Sequence, residues 1–542
     1  MMKWFLPALV LSMGPVLGQT RAEAGTSAGG FASGGLHWID GVIIAVYALG
    51  MISLGWYYRR RQKSLDEYFV GNRTMNPGLI GVSMFVTLFS TISFLATPGE
   101  VYGKGPAILT SSLSIPFYYL IVGYLIVPAY MRFRLISAYE LLEQKKGLSV
   151  RLVGAVLFIM LRLTWMSLLI HLSAQAMLLM LGLGQDKLPY VALVIGAVAI
   201  TYASFGGLRA VVITDFLQFC LLCGGALLVV VTVTVRLGGF GWFPTEWSPS
   251  WDTQPLFSLD PNVRVTAFWS IVSGTLWWVC TAGGDQTAVQ RFMSVRDVKA
   301  ARRSFLLNSF AGILVNVILA LVAFSLLGFF EARPELLPAG VDADRVFPYY
   351  IVHLLPIGIS GLVISGLFAA AMSSVDSGVN SLTAVVVTDF VGRFRRRALS
   401  EIARVRLSQA LALAIGLIVV LGSSFLVGNM PGNFVEIAQR TLHLYVGALF
   451  LLFFLAIFVP FSTAPGTIAG SLSALLAAAC VAYWGSLNQM TLDLGWVPLS
   501  ERTGIVDFSF QWILPVSLPV GLAAGCVVSW IQRCMRKGSA VS

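Results

Sequence analysis

The chain has 542 residues, of which 57% are apolar and only 11% are charged. Soluble proteins average about 25% charged residues, so this composition excludes a soluble globular protein and indicates a polytopic membrane protein. The formal net charge of +11 would suggest a nucleic-acid partner in a soluble domain. Here the basic residues lie in loops between apolar segments and serve as orientation signals, so we expect a lipid bilayer and no nucleic acid around the protein.

The N-terminal 24 residues combine one lysine, an apolar run and a small-residue end, which is typical of a secretory signal peptide. An uncleaved additional span is the alternative. We expect residues 25–37, which are rich in Gly and Ser, to form a flexible extracellular N-terminus. The six cysteines show neither a disulfide framework nor zinc-ligand spacing.

Thirteen apolar segments follow between residues 38 and 531, and each approaches the ~20 residues that a membrane-spanning helix requires. Their centres lie near residues 48, 88, 118, 166, 197, 222, 275, 317, 365, 417, 451, 475 and 521. With the N-terminus outside, 25 of the 36 Lys and Arg residues fall on the inner side. The positive-inside rule thus predicts a multi-pass protein of the plasma (inner) membrane with a cytoplasmic tail at 532–542.

Two of these segments are interrupted by polar residues, Gly or Pro. The first is Val82–Leu95, which carries five Ser and Thr residues before Pro98 and Gly99, and the second is Thr266–Cys280, which ends in TAGGDQ. Broken backbone at membrane depth is tolerated only where it lines protein or a cavity, and paired breaks in two halves indicate a transporter site. The breaks are five spans apart, which predicts two inverted five-helix repeats at about 78–235 and 266–460.

Residues 361–389 begin as an apolar helix and then fill with polar groups from Ser373 onward. At about 100° per residue, the polar positions from Ser373 to Ser381 fall within an arc of about 160° on one helix face. Serine and asparagine alone often only join membrane helices to one another. Asp376 is different, because a charge at membrane depth costs at least about 2.5 kcal/mol and needs a partner, water or an ion. A face of hydroxyl and carboxylate oxygens suits a hard cation.

Five stretches, in this order along the chain, identify a family. They are RRQKSLDEYFVGNR (60–73), SAYELLE (137–143), GGLRAVVITDFLQ (206–218), DQTAVQR (285–291) and FAAAMSSVDSGVNS (368–381). From Trp38 to about Trp530 the chain resembles the sodium:solute symporter family. The resemblance implies an all-α polytopic membrane protein with the inverted five-plus-five repeat of the leucine-transporter fold.

The same resemblance implies that a co-transported sodium ion binds between the broken first repeat helix and the eighth repeat helix. Its ligands would be the backbone carbonyls of Val86, Phe89 and Ala370 and the hydroxyls of Ser373 and Ser374. Carbonyl ligands need no particular side chain, whereas the eighth helix must supply hydroxyls, and it does. We expect no organic cofactor.

The sialic-acid branch of the family holds a second sodium, whose ligands would map to Asp215, Ser373, Asp376 and Ser377. Those relatives carry a hydroxyl where this chain has Asp376, so two carboxylates could flank one site here. A sodium ion or a proton would relieve their repulsion. Asp215 could instead cap a helix or pair with Arg209.

Substrate contacts carried over from the sialic-acid branch fall on Leu88, Ser90, Ser93, Ile108, Ser112 and Trp165. That branch has a carboxylate-binding arginine where this chain has Trp165, and Arg162 lies one turn away. STISFLATPGEVY (90–102) also resembles the branch that carries monocarboxylates, vitamins and iodide. Trp277 and Trp278 could stack on a sugar ring or only pack. We expect Asp285 and Arg291 to stabilise the cytoplasmic end of their helix, Arg162 to pair with a carboxylate or line the cavity, and His171 and His443 to be satisfied interior histidines.

The sequence thus predicts sodium-coupled symport of a small polar organic solute by alternating access, with no obligate protein partner evident. A proton-coupled symporter of the same fold is one alternative. A transporter-like sensor is another, although only about a dozen residues follow Trp530. We expect no enzyme, because the sequence has no Gly-rich phosphate loop, no His/Cys metal cluster and no nucleophile motif.

Overall fold

The computed structural model describes residues 36–59, 64–133, 135–253, 255–394, 400–425, 434–493 and 508–539. The predicted signal peptide (1–24) lies outside these residues, as does all but the end of the predicted flexible segment 25–37. Throughout the described residues the regular structure is helical. The helices are α1 Trp38–Arg59, α2 Leu65–Val70, α3 Pro77–Leu88, α4 Thr91–Lys104, α5 Ile115–Ile121, α6 Val127–Met131, α7 Glu140–Lys146, α8 Leu148–Leu181, α9 Leu188–Leu237, α10 Ala267–Gly284, α11 Gln286–Met293, α12 Val298–Ala332, α13 Ala343–His353, α14 Ile359–Val385, α15 Gly392–Phe394, α16 Glu401–Phe425, α17 Phe434–Phe458, α18 Ala464–Ala482, α19 Trp484–Asp493 and α20 Ile513–Ser539.

Each of the thirteen predicted centres falls within one of these helices. By length and apolar composition, ten of the described helical segments could cross a membrane, or eleven if the bent pair α3 and α4 counts as one span. α5 and α6 belong to one such segment, Pro106–Met131, in which α-helical, 3₁₀ and π turns follow one another. The protein is therefore a multi-pass helical membrane protein. α20 runs to Ser539, past the boundary at 531 that the sequence predicts.

The centres near 197 and 222 share the 50-residue helix α9. Gly207 divides this helix, because its φ of 61° and ψ of −176° are not helical. A side chain disfavours this left-handed φ, whereas glycine adopts it readily. The helix can therefore change direction at Gly207, as two separate spans would require.

The first predicted break is a bend of 69° between α3 and α4. Phe89 and Ser90 adopt extended backbone there, with ψ values of 124° and 168°. The hydroxyl of Ser90 accepts a hydrogen bond from the backbone N–H of Ser93 and so caps α4. A helix that stops leaves its last carbonyl groups without intrahelical donors, so the end of α3 presents acceptors that need partners from other helices.

The second predicted break separates α10 from α11 at Asp285, which is also extended. Its carboxylate caps α11 by accepting a hydrogen bond of 2.8 Å from the N–H of Thr287. At each break a polar side chain thus caps the helix that follows. The sequence can therefore end one helix and begin the next at the same place.

α14 lies at the centre of the molecule. It packs along α9 and contacts α1, α3, α8 and α16. Every residue from Ala369 to Val385 is buried. The polar stripe therefore faces protein on all sides and not lipid, as the cost of exposing such groups to hydrocarbon requires.

Candidate functional site

The hydroxyl of Ser373 faces the end of α3. It donates to the carbonyl oxygen of Val86 and to that of Ala370 on its own helix, at 3.0 Å in both cases. Ser373 and Ala370 are fully buried, and Val86 is 1% exposed. The structure thus brings three of the five predicted first-site residues together across two helices that are far apart in sequence.

The neighbouring Ser374 makes the second bridge. Its hydroxyl donates to the carbonyl oxygen of Thr87 at 3.0 Å and to that of Phe89 at 3.2 Å. A hydroxyl has one proton, so the two serines offer two protons to four carbonyl oxygens. We call Val86, Phe89, Ala370, Ser373 and Ser374 the carbonyl–serine cluster. It gathers more acceptors than donors, which is the chemistry of a site for a hard cation.

A second group of polar side chains surrounds Asp215 on α9. The Asp215 carboxylate is fully buried and accepts hydrogen bonds from Ser83 at 2.5 Å and from Thr87 at 3.4 Å. Arg291 lies against the same oxygen, at 3.5 Å. This guanidinium also donates to Thr87 Oγ1 at 2.5 Å and to Ser377 Oγ at 2.6 Å. A protein cation therefore bridges the predicted second-site residues Asp215 and Ser377.

Arg291 reaches much further than the sequence suggests. One of its bonds, to the carbonyl oxygen of Thr287 at 3.1 Å, does stabilise its own helix. The remaining bonds cross to α3, α9 and α14, and the side chain is only 1% exposed. Asp376 is also fully buried and lies close enough to interact with this guanidinium charge. We call Asp215, Arg291, Asp376 and Ser377 the charged cluster.

Ser373 was predicted to serve both sites, but its hydroxyl points to the carbonyl–serine cluster. Asp215 pairs with Arg291, whereas Arg209 donates at 3.5 Å to the carbonyl oxygen of Gly71. The charged cluster has two carboxylates and one guanidinium, so its formal charge is −1. A single further cation, sodium or a proton, would neutralise it.

Arg162 pairs with a carboxylate, as expected. It forms a buried ion pair with Asp285, the capping residue of α11. His171 is satisfied, since its Nδ1 lies 2.9 Å from the carbonyl oxygen of Ser423. His443 is buried, but neither ring nitrogen has a hydrogen-bond partner among the described residues, so the same expectation is wrong for His443. Arg162 therefore joins α8 to the second helix break instead of standing free beside the cavity.

A cavity of about 260 Å³ lies beside the helix break at Phe89. Four of the six predicted substrate contacts line it, namely Leu88, Ser93, Ile108 and Ser112. The other two predicted substrate contacts, Ser90 and Trp165, do not line this cavity. Ser90 is fully buried as the cap of α4. Trp165 borders a separate small cavity with Arg162.

Sequence reasoning missed several polar residues that line the cavity. Asn308 and Asn316 on α12 are two of them, and Gln439 on α17 and Gln511 before α20 are others. The two asparagines are eight residues apart in a mainly apolar stretch of this helix, which places them about 80° apart on its surface. This spacing was the signal in the sequence. Trp277 and Trp278 also line the cavity.

Ion pairs lie beside the cavity at Glu100, which is one of its lining residues. Arg264 donates to both oxygens of Glu100 at 2.5 and 2.9 Å and to Glu436 at 2.6 Å. Burial opposes the charge of Arg264, but these two carboxylates outweigh it and hold the pKa of the guanidinium above its ordinary value. The pairs join α4 to α17.

A comparable group joins the N-terminal end of α8 to the segment that follows α14. Arg151 donates to Asp389 at 2.5 Å and to Glu143 at 2.5 Å, and Ser137 donates to Asp389 at 2.6 Å. The hydrogen bond from Arg151 lowers the pKa of Glu143. Ion pairs of Arg264 thus lie beside the cavity, and those of Arg151 join α7, α8 and the segment after α14.

Two broken helices, a buried oxygen cluster and a cavity between helices define a class: multi-pass membrane transporters that hold their cargo at interrupted helices. The model of the sodium:solute symporter family matches residues 68–473. The chain belongs to this family. It is a sodium-coupled solute symporter and not an enzyme, and the resemblance found in the five sequence stretches is confirmed.

Among its relatives is a sodium/sialic acid symporter of Proteus mirabilis, which is 26% identical over 464 residues, covering 83% of this chain and 91% of that protein. The human sodium-coupled monocarboxylate transporter 1 is 27% identical, covering 86% of this chain and 75% of that protein. The substrate-bound, outward-open structure of a Na⁺-coupled sialic acid symporter matches with a TM-score of 0.74 at 22% identity, covering 91% of this chain and 98% of that one. The fold is thus shared with that symporter.

Proposed function

We propose that the protein carries a small polar organic solute together with sodium by alternating access. The carbonyl–serine cluster is the observation that carries this proposal. Val86, Phe89 and Ala370 would supply carbonyl ligands, and Ser373 and Ser374 would supply hydroxyl ligands. Five neutral oxygens from two helices suit a sodium ion that must bind and later leave, because hard cations prefer oxygen and weak, neutral ligands permit release.

Sodium binding has a mechanical consequence in this arrangement. The two serine hydroxyls now donate to the carbonyls at the end of α3. A sodium ion would be coordinated by lone pairs of the two serine hydroxyls and of these carbonyl oxygens. It would thus hold the broken helix against α14. The cavity beside Phe89 would be the solute site, lined by Leu88, Ser93, Ile108 and Ser112 from the predicted set. With the sodium ion and the solute bound, the helix bundle would rock and release both on the inner side.

The proposed topology has thirteen spans, with repeats at about 78–235 and 266–460, in the plasma membrane with the N-terminus outside. In this orientation the Glu100 side of the cavity faces the exterior and the Arg151 contacts face the cytoplasm. A membrane potential of 100 mV supplies about 2.3 kcal/mol per charge. A tenfold sodium gradient adds about 1.4 kcal/mol, so one ion supports roughly 500-fold accumulation.

A second cation is supported by the formal charge of −1 on the charged cluster. Sodium would use the oxygens of Asp215, Asp376 and Ser377, and the guanidinium of Arg291 would have to leave room for it. A proton needs less space. The formal charge of −1 on a cluster that already contains Arg291 therefore also supports the alternative, a proton-coupled symporter of the same fold.

Transport into proteoliposomes tests the proposal. A thermal-stability screen of sugars, carboxylates, amino acids and amides, with and without sodium, first identifies a solute, since a bound ligand stabilises the fold. We expect the solute to accumulate only under an inward sodium gradient. Uptake that persists without sodium and follows a pH step would establish proton coupling instead, and sodium-dependent binding without any transport would favour a sensor.

A further inference from the structure

Among the described residues, the cavity wall contains no Lys or Arg that could hold an anionic solute, and His443 is its one imidazole. Glu100 is the one acidic residue among these described residues. Arg264 is already engaged by both Glu100 and Glu436. The charge of Arg264 is therefore already balanced by carboxylates of the protein.

Arg162 does not supply the missing charge. It lies beyond Trp277 beside a separate space of about 10 Å³, which is at the lower limit for one water molecule. Its guanidinium is paired with Asp285. A carboxylate in the main cavity would therefore lose hydration without gaining a Lys or Arg partner from the described cavity wall, which is unfavourable.

Asn308 shows what the cavity can recognise. It lines the cavity and is fully buried, yet neither its Oδ1 nor its Nδ2 has a hydrogen-bond partner among the described residues. A buried amide left unsatisfied costs about 1–3 kcal/mol, so a ligand or water is expected to pair with it. The amide offers two donors and an acceptor, whereas a carboxylate can only accept. A hydroxyl or carboxamide can satisfy both atoms.

Part of the remaining wall is aromatic. Tyr118 and Trp278 stack with ring centroids 5.3 Å apart, and both line the cavity together with Trp277. Such rings provide a large apolar surface beside polar amides. The cavity volume of about 260 Å³ is slightly below the range of about 300–1,000 Å³ for drug-sized ligands, which indicates a small solute.

We infer that the solute is uncharged and bears both hydrogen-bond donors and acceptors, as a polyol, monosaccharide or small carboxamide does, and that Asn308 binds it. This inference rests on the proposed symport function. It separates this chain from the sialic acid symporter and the monocarboxylate transporter among its relatives, because sialic acids and monocarboxylates bear a carboxylate.

Thermal stability of the purified full chain tests the inference with matched probes: D-glucose against D-gluconate, lactamide against lactate, and myo-inositol. In sodium buffer we expect at least one uncharged probe to stabilise the protein and its carboxylate counterpart to bind at least about tenfold more weakly. Stabilisation by the carboxylates alone, or by none of the uncharged probes, would overturn the inference. If sodium alone does not stabilise the protein, this result would instead count against the proposed symport.

The variant Asn308→Asp keeps the size of the side chain, removes its donors and adds a negative charge. We expect about a tenfold loss of affinity for the uncharged solute, with stabilisation by sodium alone retained. Ser325→Ala on the same helix is the matched control, because Ser325 is buried and donates only to the carbonyl of Val322. Unchanged solute affinity in Asn308→Asp would remove Asn308 from the binding site.

Discussion

Two polar clusters lie about one turn apart on α14 and use opposite chemistry. The carbonyl–serine cluster at Ser373 and Ser374 consists of neutral oxygens with fewer protons than acceptors. The charged cluster at Asp376 and Ser377 includes Arg291 and has a formal charge of −1. Neutral oxygens can bind a cation that must later leave, whereas carboxylates in a buried site hold a permanent cation from the protein. The difference separates the proposed first sodium site from a cluster that already contains a cation of the protein.

The largest effect is expected for Arg291→Gln. The variant removes the cation that bridges Asp215, Thr87 and Ser377 and leaves a buried carboxylate without its partner. Breaking a buried pair in this way costs about 3–5 kcal/mol. We expect low yields of folded protein and a strongly reduced melting temperature in detergent.

Arg291→Lys is the matched control. Lysine keeps the charge but not the forked geometry, so an intermediate stability is expected. An Arg291→Gln protein as stable as the parent would show that the guanidinium is not a fixed part of the fold, and the contrast between the two clusters would fail.

Ser373→Ala and Ser374→Ala are expected to have the next largest effect. Each removes one hydroxyl ligand from the carbonyl–serine cluster without removing a charge. Interactions of this kind with charged groups contribute about 1.5–3 kcal/mol, so the sodium concentration for half-maximal uptake should rise about 10- to 100-fold.

Ser365→Ala serves as the control for these serines. Its hydroxyl is buried on the same helix but donates to the carbonyl of Gly361 at 2.8 Å. Membrane insertion should be normal in all three variants. If sodium dependence changed equally in Ser365→Ala, the effect would reflect general helix packing.

Asp376→Ser is expected to leave uptake largely intact and to change its stoichiometry. The substitution raises the formal charge of the charged cluster from −1 to 0, so a second cation loses its counter-charge. Parallel measurements of current and solute flux should show one less charge per solute. Asp376→Glu should preserve the ratio, and an unaltered ratio in Asp376→Ser would exclude this residue from ion coupling.

Much of the fold could be predicted because apolar segments in a bilayer must become helices. Every predicted centre lies in a helix, and both helix breaks occur where Ser, Gly and Asp interrupt the apolar runs. Periodicity did not show that positions 197 and 222 share one helix, since the single residue Gly207 decides its division.

The site was less predictable where long side chains cross between helices. The serine hydroxyls could be placed because they are short and stay near their backbone. Arg291 follows the break at Asp285 by only six residues, and sequence spacing gave no sign that it reaches Asp215 and Ser377. Ser90 was predicted to contact the substrate, but its hydroxyl caps the helix α4.

Binding of radioactive sodium to the purified protein tests the first site most directly. The parent and Ser365→Ala should bind sodium saturably, and the double variant Ser373→Ala/Ser374→Ala should lose this binding while keeping a normal elution profile and helix content. Sodium binding of undiminished affinity in the folded double variant would contradict a sodium site between α3 and α14.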